Sequence, residues 1–247
     1  MNDFKNLKEK FNQSGFFVCK NLFDKIFLNN IVKEISLAED TQKYFDNNNN
    51  LRRVEKLYNK GKFLEKLNLR LIQLLKNIFE EDYIIFKDKF NAKPPGGDGF
   101  YAHYDGIFHF LDNKNIKRKG WYEYGDNFIN VMLAIDLCNE ENGALELSQS
   151  HTGEFEDLLK NTKNDGTPAL KKEIEEKISF QLINLDPGDV VIFSHTCPHR
   201  SKKNNSKNDR RILYYTYSLR KNGSKYNQYF EDKKKSKNSV KALNEKN

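Results

Sequence analysis

The sequence predicts a mainly β protein in which flanking helices pack outside a jelly-roll core. Two observations lead to this fold class. Segments with apolar residues at helical spacing occupy the first third of the chain, and short apolar runs separated by Gly, Asn, Asp and Pro follow from Ile84 onward. Helices followed by many short strands are typical of helices packed on a sandwich or barrel. The length of 247 residues fits a single domain of this kind, 1–247.

The N-terminal part, residues 1–82, is predicted to be mainly helical and to pack on the barrel. Its apolar residues recur at the helical period, and Asp24 is a suitable N-cap for one of the helices. A polar break at 47–50 separates that helix from a strongly amphipathic one. The predicted elements, in chain order, are a helix over 4–12, a strand over 15–19, a helix opened by Asp24 and a helix over 63–79.

Residues 83–220 are predicted to form the jelly-roll core. Polar residues 152–178 have a partly helical pattern and are expected to form an insertion over the mouth of the barrel. Residues 231–247 are rich in Lys, Asn and Ser, which predicts a flexible tail. The predicted core strands are 128–137, 144–147, 179–185, 189–193 and 212–219.

The formal net charge of +7 raises the possibility of nucleic-acid binding. Lysine far outnumbers arginine and asparagine is abundant, which favours a general basic surface over a set of phosphate contacts. The three cysteines, Cys19, Cys138 and Cys197, lack the spacing of a disulfide framework or zinc cluster and indicate a reducing compartment. The N-terminus lacks a signal-like apolar segment, and no run approaches a membrane span. We therefore expect a soluble, cytoplasmic protein that binds neither membranes nor nucleic acid.

A candidate metal site is present in two distant stretches. His103 and Asp105 form a His-x-Asp pair whose side chains fall on one side of an extended backbone. His199 follows a Pro-Gly-Asp turn and an apolar strand. Two imidazoles and one carboxylate with open positions are typical of non-haem Fe(II) oxygenases. A structural role for a single histidine is the alternative, and the ordered context favours the metal.

These residues, in their order, resemble the phytanoyl-CoA dioxygenase family of Fe(II)/2-oxoglutarate oxygenases, over about half of the chain. Within it, the chain is most similar to the branch that includes 2-aminoethylphosphonate hydroxylases. The resemblance implies a cupin-like double-stranded β-helix, with Fe(II) bound by His103, Asp105 and His199, and 2-oxoglutarate and O2 as cosubstrates. The matching motifs are Lys89-x-Asn91-x-Lys93-Pro94-Pro95-Gly96-Gly97, His103-Tyr104-Asp105, Glu141-Asn142-Gly143-Ala144-Leu145-Glu146-Leu147 and the run from His199 to Arg210.

The resemblance also implies how the cosubstrate is held. Arg210 lies eleven residues after His199 and offers the planar, two-pronged donor that the distal carboxylate of 2-oxoglutarate accepts. Ser201 and Lys93 are weaker candidates for cosubstrate binding. The adjacent Arg211 is expected to point to the opposite face of its strand.

The remaining histidines are not expected to bind the metal. His195 lies four residues before His199, but the preceding apolar run is a strand and Pro198 does not fit a helix interior. His151 fits a structural role in a turn, and His109 is a candidate for the pocket wall.

The implied function is hydroxylation of a small anionic or zwitterionic metabolite, with a 2-aminoethylphosphonate-like compound as first candidate and an amino acid or organic acid as second. Cations at 117–119 are expected to hold an anionic group at the barrel mouth. The nearby Trp121, Tyr122 and Tyr124 are alternatively a cradle for an ammonium group or packed rings under a solvated loop. An acyl-CoA substrate, a nucleic-acid-binding protein and a non-catalytic barrel are the other readings.

Overall fold

Two antiparallel sheets form the core of the protein, which we describe from a computed structural model over residues 2–163 and 165–235. The larger sheet has seven strands and the smaller has four, and a separate hairpin has two. The strands are β1 Phe16–Cys19, β2 Lys43–Phe45, β3 Leu51–Glu55, β4 Tyr83–Lys93, β5 Phe100–His103, β6 Phe110–Leu111, β7 Lys117–Arg118, β8 Phe128–Ala134, β9 Leu145–Leu147, β10 Gln181–Leu182, β11 Val190–Ser194, β12 His199–Ser201 and β13 Arg210–Leu219. The α-helices are α1 Asn2–Ser14, α2 Lys25–Ser36, α3 Lys62–Phe79, α4 Phe155–Leu159, α5 Lys172–Glu175 and α6 Tyr226–Lys235.

The order of the strands in the large sheet is β1-β11-β8-β13-β4-β3-β2, and in the small sheet it is β10-β9-β12-β5. The long strand β13 lies near the middle of the large sheet between β4 and β8. The inner faces of the two sheets meet in an apolar cluster that includes Met132, Leu147, Phe193 and Ile212. The predicted double-stranded β-helix with flanking helices is therefore confirmed.

The amphipathic pattern of the long helix α3 decides which side of the helix packs against the large sheet. Leu64, Leu67, Leu71 and Leu75 recur at three- and four-residue intervals and are buried against the outer face of the sheet. The N-terminal backbone amides of α3 donate to the carboxylate of Glu34 on the neighbouring α2, at 2.9–3.0 Å. An anion at this helix end accepts otherwise unpaired donors, so the two helices are joined at the point where α3 begins.

The N-terminal part has the predicted strand 15–19, which is β1, but it departs from the mainly helical prediction for 1–82 because it also contributes β2 and β3 to the large sheet. The asparagine-rich break at 47–50 is the turn of the β2–β3 hairpin. The Asp46 carboxylate accepts from the backbone N–H groups of Asn48 and Asn50 at 3.0 and 2.9 Å, and Asn49 adopts a φ of 59°. Asp and Asn are suited to such turns because their side chains bond the local backbone and tolerate this conformation. The run predicted as a polar break between helices therefore closes a hairpin.

The predicted tail is ordered at its start. Residues 231–235, placed in the flexible tail from composition, are the last part of α6. Phe230 is buried, and the Lys233 ammonium lies 2.6 Å from the Glu55 carboxylate of β3. These contacts with the sheet hold a polar segment that has little helix-forming pattern of its own. The rest of the predicted tail, 236–247, lies outside the described residues.

The predicted strands are found with altered ends. The strand predicted over 128–137 ends at Ala134, and the one predicted over 179–185 is reduced to Gln181–Leu182. The insertion 152–178 contains the short helices α4 and α5 and contacts β5 through a hydrogen bond from Leu170 N to Ala102 O of 2.8 Å. In the part of the chain that the structure describes, no helix combines the length and apolarity needed to cross a membrane.

Candidate active site

The two predicted histidine ligands lie side by side in the small sheet. His103 ends β5 and His199 begins β12, and the antiparallel register makes them direct cross-strand partners with ring centroids 4.1 Å apart. Asp105 follows in the next turn, where its backbone N–H donates to the His195 carbonyl oxygen at 3.1 Å. One ligand atom from each of His103, Asp105 and His199 lies within 4.8 Å of the others. Strand pairing thus brings ligands almost a hundred positions apart in sequence into one cluster.

Both imidazoles are oriented by backbone carbonyl groups. His103 Nδ1 donates to the Tyr101 carbonyl oxygen at 2.8 Å, and His199 Nδ1 donates to the Cys197 carbonyl oxygen at 3.0 Å. A proton on Nδ1 leaves the lone pair on Nε2, which is the tautomer that a metal requires. His199 Nε2 lies 3.7 Å from Asp105 Oδ2. The ligand atoms therefore face one another.

A polar pair on the large sheet fixes the third ligand. Asn130 of β8 donates from Nδ2 to Asp105 Oδ2 at 2.8 Å, and Thr216 of β13 donates to Asn130 Oδ1 at 2.7 Å. Asn130 and Thr216 are themselves cross-strand partners, and both are buried. The hydroxyl fixes the amide, and the amide fixes the carboxylate. Such outer partners hold a metal ligand in one orientation.

The protonation states of the three groups suit a divalent cation. Burial, assisted by the charge of His199, lowers the pKa of His103 to about 3, and burial also lowers the pKa of His199. Burial opposes the ionisation of Asp105, but the charges of His199, Lys87 and Lys89 together lower the pKa of this carboxyl group. Two neutral imidazoles and one carboxylate are the donor set that Fe(II) takes in facial-triad sites. The residues therefore fit the metal.

A cavity of about 490 Å³ opens above the triad. Its wall includes aromatic residues from the segment that follows Asp105, and Trp121 packs directly over Gly106. Gly106 has a φ of +79°, and a Cβ at this position would lie 2.4 Å from Cγ of Trp121. Only glycine permits the tight turn after the carboxylate ligand while the indole closes the wall behind it. Residues 165–168 of the insertion also line the cavity, as its predicted position over the mouth requires.

Arg210 is buried at the start of β13 and lines this cavity. Its Nε atom has no hydrogen-bond partner, and its guanidinium group forms no salt bridge, within residues 2–163 and 165–235. A buried guanidinium group without an acceptor is unfavourable unless a ligand supplies one. Arg210 therefore has the geometry of an anion-binding residue.

Ser201 and Lys93, the two weaker cosubstrate candidates, differ in what they offer the cavity. The Lys93 ammonium is buried and donates to Gly143 O at 3.2 Å, Lys202 O at 2.5 Å and Ser201 Oγ at 2.9 Å. These three acceptors use all three hydrogens of the ammonium group, so Lys93 holds the loop after β12 and has none left for a ligand. Ser201 lines the cavity and receives the Lys93 hydrogen bond, which leaves its own hydroxyl hydrogen to donate.

The adjacent arginine, Arg211, points the other way, as the strand alternation predicts. It donates to both carboxylate oxygens of Asp136 at 2.8 Å and is partly exposed. Its charge is therefore satisfied within the protein, and only Arg210 of the pair is available to the cavity.

The other histidines lie outside the metal cluster. His195 is buried, with Nε2 3.2 Å from the hydroxyl of Tyr122, and its backbone supports Asp105 as described. His151 forms a short hydrogen bond with the hydroxyl of the buried Tyr104. Tyr104 lies between the ligands His103 and Asp105, so this bond joins the turn at His151 to the metal-binding segment. His109 packs edge-on against Phe155 at 5.4 Å between centroids. His195 and His151 have structural surroundings, as predicted, and His109 contacts the insertion.

Residues 117–119, the cations predicted at the barrel mouth, do not line the cavity, and two of them have carboxylate partners. Arg118 lies 3.0 Å from Asp112, and the Lys119 ammonium lies 3.0 Å from Glu156. The nearby Trp121 and Tyr124 line the cavity, whereas Tyr122 packs against the insertion. The prediction that residues 117–119 hold an anionic substrate is therefore not supported by their position.

Three residues of the site received no role from the sequence. Asn130 contacts the carboxylate ligand, and Lys87 and Lys89 project into the cavity from β4. A signal was present for the lysines, because Lys87, Lys89, Asn91 and Lys93 place polar groups at every second position of a strand flanked on both sides in the sheet. The role of Asn130 could not be predicted from the sequence, since it depends on a contact between strands.

A jelly-roll fold with a two-histidine, one-carboxylate cluster and an unpaired arginine in one cavity defines a class of site, that of the non-haem Fe(II) oxygenases. The phytanoyl-CoA dioxygenase (PhyH) family matches residues 18–212 of the chain. The protein belongs to this family, and the predicted resemblance is confirmed.

Curated relatives and solved structures are similar to the chain. The chain is 31% identical to the 2-aminoethylphosphonate dioxygenase of an uncultured bacterium, HF130_AEPn_1. The alignment has 162 residues and covers 65% of this chain and 55% of the relative. The chain is 32% identical over 160 residues to the methylphosphonate hydroxylase of Gimesia maris, covering 63% of this chain and 53% of the relative. The chain thus spans about half the length of the curated relatives it matches. Crystal structures of EctD from S. alaskensis share the fold, the apo form with a TM-score of 0.67 at 15% identity over 88% of this chain and 77% of EctD.

Proposed function

We propose that the protein is an Fe(II)- and 2-oxoglutarate-dependent hydroxylase of a small anionic or zwitterionic metabolite, with phosphonates of the 2-aminoethylphosphonate type as first candidates. The observation that carries the proposal is the meeting of the His103, Asp105 and His199 cluster with the unpaired Arg210 in one cavity. A metal site alone is compatible with many reactions. A metal site beside a buried, unpaired guanidinium group also provides for an anionic cosubstrate.

Each group has a separate task in this proposal. When bound, Fe(II) with 2-oxoglutarate and O2 supplies the oxidising chemistry, in which one oxygen atom enters a substrate C–H bond and the other enters succinate as CO2 is released. His103, Asp105 and His199 hold the metal and leave its remaining positions open. Arg210 donates two hydrogen bonds to the distal carboxylate of the cosubstrate, and the Ser201 hydroxyl donates to the same group. The aromatic wall limits the access of water to the reacting atoms.

The substrate class is supported by relatives and by the charge of the cavity. The two curated relatives are named for phosphonate substrates. Cationic side chains, including Lys87 and Lys89, line the same cavity. A small polar anion fits a cavity of about 490 Å³ better than a long acyl-CoA. Three free thiols, Cys19, Cys138 and Cys197, support a cytoplasmic location.

The test is a coupled assay with Fe(II), ascorbate, O2 and 2-oxoglutarate. Succinate is quantified with 2-aminoethylphosphonate, methylphosphonate and a panel of amino acids, and products are weighed by mass spectrometry. We expect substrate-dependent succinate together with a product heavier by one oxygen. The Asp105→Ala variant is the matched inactive control. Turnover with a long acyl-CoA alone would refute the small-substrate part, and no succinate from any substrate by an iron-loaded protein would refute the oxygenase.

A further inference from the structure

Two lysines of β4 enter the cavity on the side away from Arg210. Lys87 and Lys89 lie on the same face of the strand, and both line the cavity. Their cross-strand partners on β13 are Thr216 and Tyr214 respectively. A register shift beside Thr216 interrupts the alternation of side chains along β4. Phe86, the residue before Lys87, therefore packs with Trp121 and Tyr124 of the cavity wall. The charged face of β4 thus ends at Lys87, where the aromatic wall begins.

Neither lysine has an anionic partner. Within the described ranges, neither ammonium group donates a hydrogen bond to the protein or forms a salt bridge. Their close contacts are with rings, since Lys87 Nζ lies 3.9 Å from the ring centroid of Trp121 and Lys89 Nζ lies 4.8 Å from that of Tyr214. The nearest functional carboxylate, Asp105, is a metal ligand and is already bonded by Asn130.

The other cations of the cavity wall are neutralised. Glu55 lies 2.6 Å from Lys233 and 3.6 Å from Arg53. Arg200 makes salt bridges of 2.8 Å to two carboxylates, one on β9 and one on α5. Among the described residues that line the cavity, the cations without a salt bridge are therefore Arg210, Lys87 and Lys89.

Arg210 and Lys87 are too far apart to hold one cosubstrate molecule. Arg210 pairs with Lys93, and Lys87 lies six residues before Lys93 on the same strand. At a rise of about 3.3 Å per residue, the two backbone positions are about 20 Å apart, and Lys89 is about 13 Å from the Arg210 row. A five-carbon dicarboxylate that reaches from the metal to Arg210 does not extend to Lys87. Both lysines nevertheless lie close enough to Asp105 to lower the pKa of its carboxyl group, so they border the metal site.

We propose that Lys87 and Lys89 bind the doubly charged phosphonate group of the primary substrate. This inference rests on the proposed function and names the residues that recognise its substrate. Burial lowers the pKa of both lysines, that of Lys89 to about 8, and a bound dianion opposes this by favouring their protonated forms. Two neighbouring ammonium groups then match a tetrahedral dianion better than a singly charged, planar carboxylate. The rings of Trp121 and Tyr214 contact the Nζ atoms, and the bound anion supplies the partner that the protein does not.

The experiment measures phosphonate binding directly and without turnover. The protein is loaded with Zn(II), which has no redox chemistry, and with 2-oxoglutarate, and 2-aminoethylphosphonate is titrated by calorimetry and phosphorus NMR. Lys87→Met and Lys89→Met remove the charges and keep the stems. Lys66→Met removes the same charge from an exposed position on α3 and is the control. β-Alanine, the carboxylate analogue of the ligand, tests the preference for a dianion.

We expect each cavity variant to weaken phosphonate binding by about 10- to 100-fold, because a charge-assisted contact to a desolvated anion is lost. Lys66→Met is expected to bind like the unaltered protein, and Lys87→Arg to recover part of the affinity. The affinity for 2-oxoglutarate is expected to stay unchanged in Lys87→Met, and the preference for 2-aminoethylphosphonate over β-alanine to disappear. If Lys87→Met does not fold, as judged by circular dichroism, Lys87→Gln replaces it.

Phosphonate affinity that is unchanged in both cavity variants would overturn the inference. An equal loss of 2-oxoglutarate and phosphonate affinity would also overturn it, because the lysines would then serve the cosubstrate. Lysine-dependent phosphonate binding by a protein that binds neither Zn(II) nor 2-oxoglutarate would support the inference while refuting the proposed oxygenase. A protein that binds 2-oxoglutarate but no phosphonate would refute the inference and leave the oxygenase intact.

Discussion

The two faces of strand β13 show how differently the two sides of the large sheet are built. On the helix side, Leu213, Tyr215 and Tyr217 pack against α3, and the Tyr217 hydroxyl donates to Asn68 at 3.0 Å. On the cavity side, Thr216 serves the carboxylate ligand through Asn130, and Arg210 has an unpartnered nitrogen. One face is complete within the protein, and the other is completed by ligands.

Stability and binding are thus divided between neighbouring residues of one strand. Because side chains alternate, a residue and its successor face different surroundings although their backbones are equally rigid. Functional groups that lack partners are held in place by a strand whose other face is fully packed. Substitutions on the two faces should therefore have separable effects, on folding for the helix side and on binding for the cavity side.

The largest effect on the cavity side is expected from His199→Ala. Loss of a metal ligand should reduce turnover to background. This effect is larger than the loss of about 10- to 100-fold in metal affinity or activity that follows from removing a residue that only orients a ligand. The unfolding transition should change little. Anaerobic addition of Fe(II) and 2-oxoglutarate should give a weak visible charge-transfer band in the unaltered protein and in the control His109→Ala, but not in His199→Ala. Full activity of His199→Ala would show that His199 is not a metal ligand.

The helix side is tested by Leu213→Ala. Deleting this buried side chain should lower the free energy of unfolding by about 2–5 kcal/mol, because apolar contact is lost and a cavity remains. The affinity of the folded protein for 2-oxoglutarate should stay within about twofold. Urea denaturation followed by circular dichroism measures the first quantity and calorimetry the second. A stable variant with weakened cosubstrate binding would contradict the division between the faces.

Arg210 and Arg211 are adjacent in sequence but lie on opposite faces of β13, so their substitutions test the two faces most directly. Arg210→Ala should weaken 2-oxoglutarate binding by about 30- to 1000-fold, equivalent to about 2–4 kcal/mol, because a buried two-pronged contact is lost. Arg211→Ala should leave that affinity unchanged and lower the free energy of unfolding by at most about 1 kcal/mol, since its ion pair with Asp136 is partly exposed. Calorimetric titration of 2-oxoglutarate into the metal-loaded variants decides between them. A reversed result would mean that the strand register is shifted by one residue.

A smaller effect is expected from Asn130→Ala, which removes a positioning residue and leaves all three ligands. Iron affinity should fall by about 10- to 100-fold because the Asp105 carboxylate loses the donor that orients it. Thr216→Val, which removes only the hydroxyl that orients Asn130, should have a weaker effect in the same direction. Anaerobic Fe(II) titration measures both. A variant that unfolds more easily but binds iron normally would make Asn130 a purely structural residue.

Much of the fold was predictable because its signals are local. The α3 stripe and the Asp24 cap lie within single helices, and both were found at the predicted places. The β2–β3 hairpin was not predicted, because an Asn-rich run by itself indicates only a polar break. How much of the Lys-rich tail is ordered depends on contacts with distant residues, such as that of Lys233 with Glu55. Composition describes the segment, whereas the partner that holds it is elsewhere in the chain.

The chemistry that this protein carries could be predicted from the sequence. The His103 and Asp105 pair and the opposite direction of Arg211 follow from short spacings, whereas His199 and the role of Arg210 were recognised from the order of motifs that resembles the family. Which charged residues are free depends on the tertiary structure. Lys93 and Lys89 are four positions apart on one strand, yet Lys93 has three protein acceptors and Lys89 has none among the described residues. The reason is physical: whether a charge is satisfied depends on the acceptors that folding brings within hydrogen-bond distance, and these come from other strands and loops.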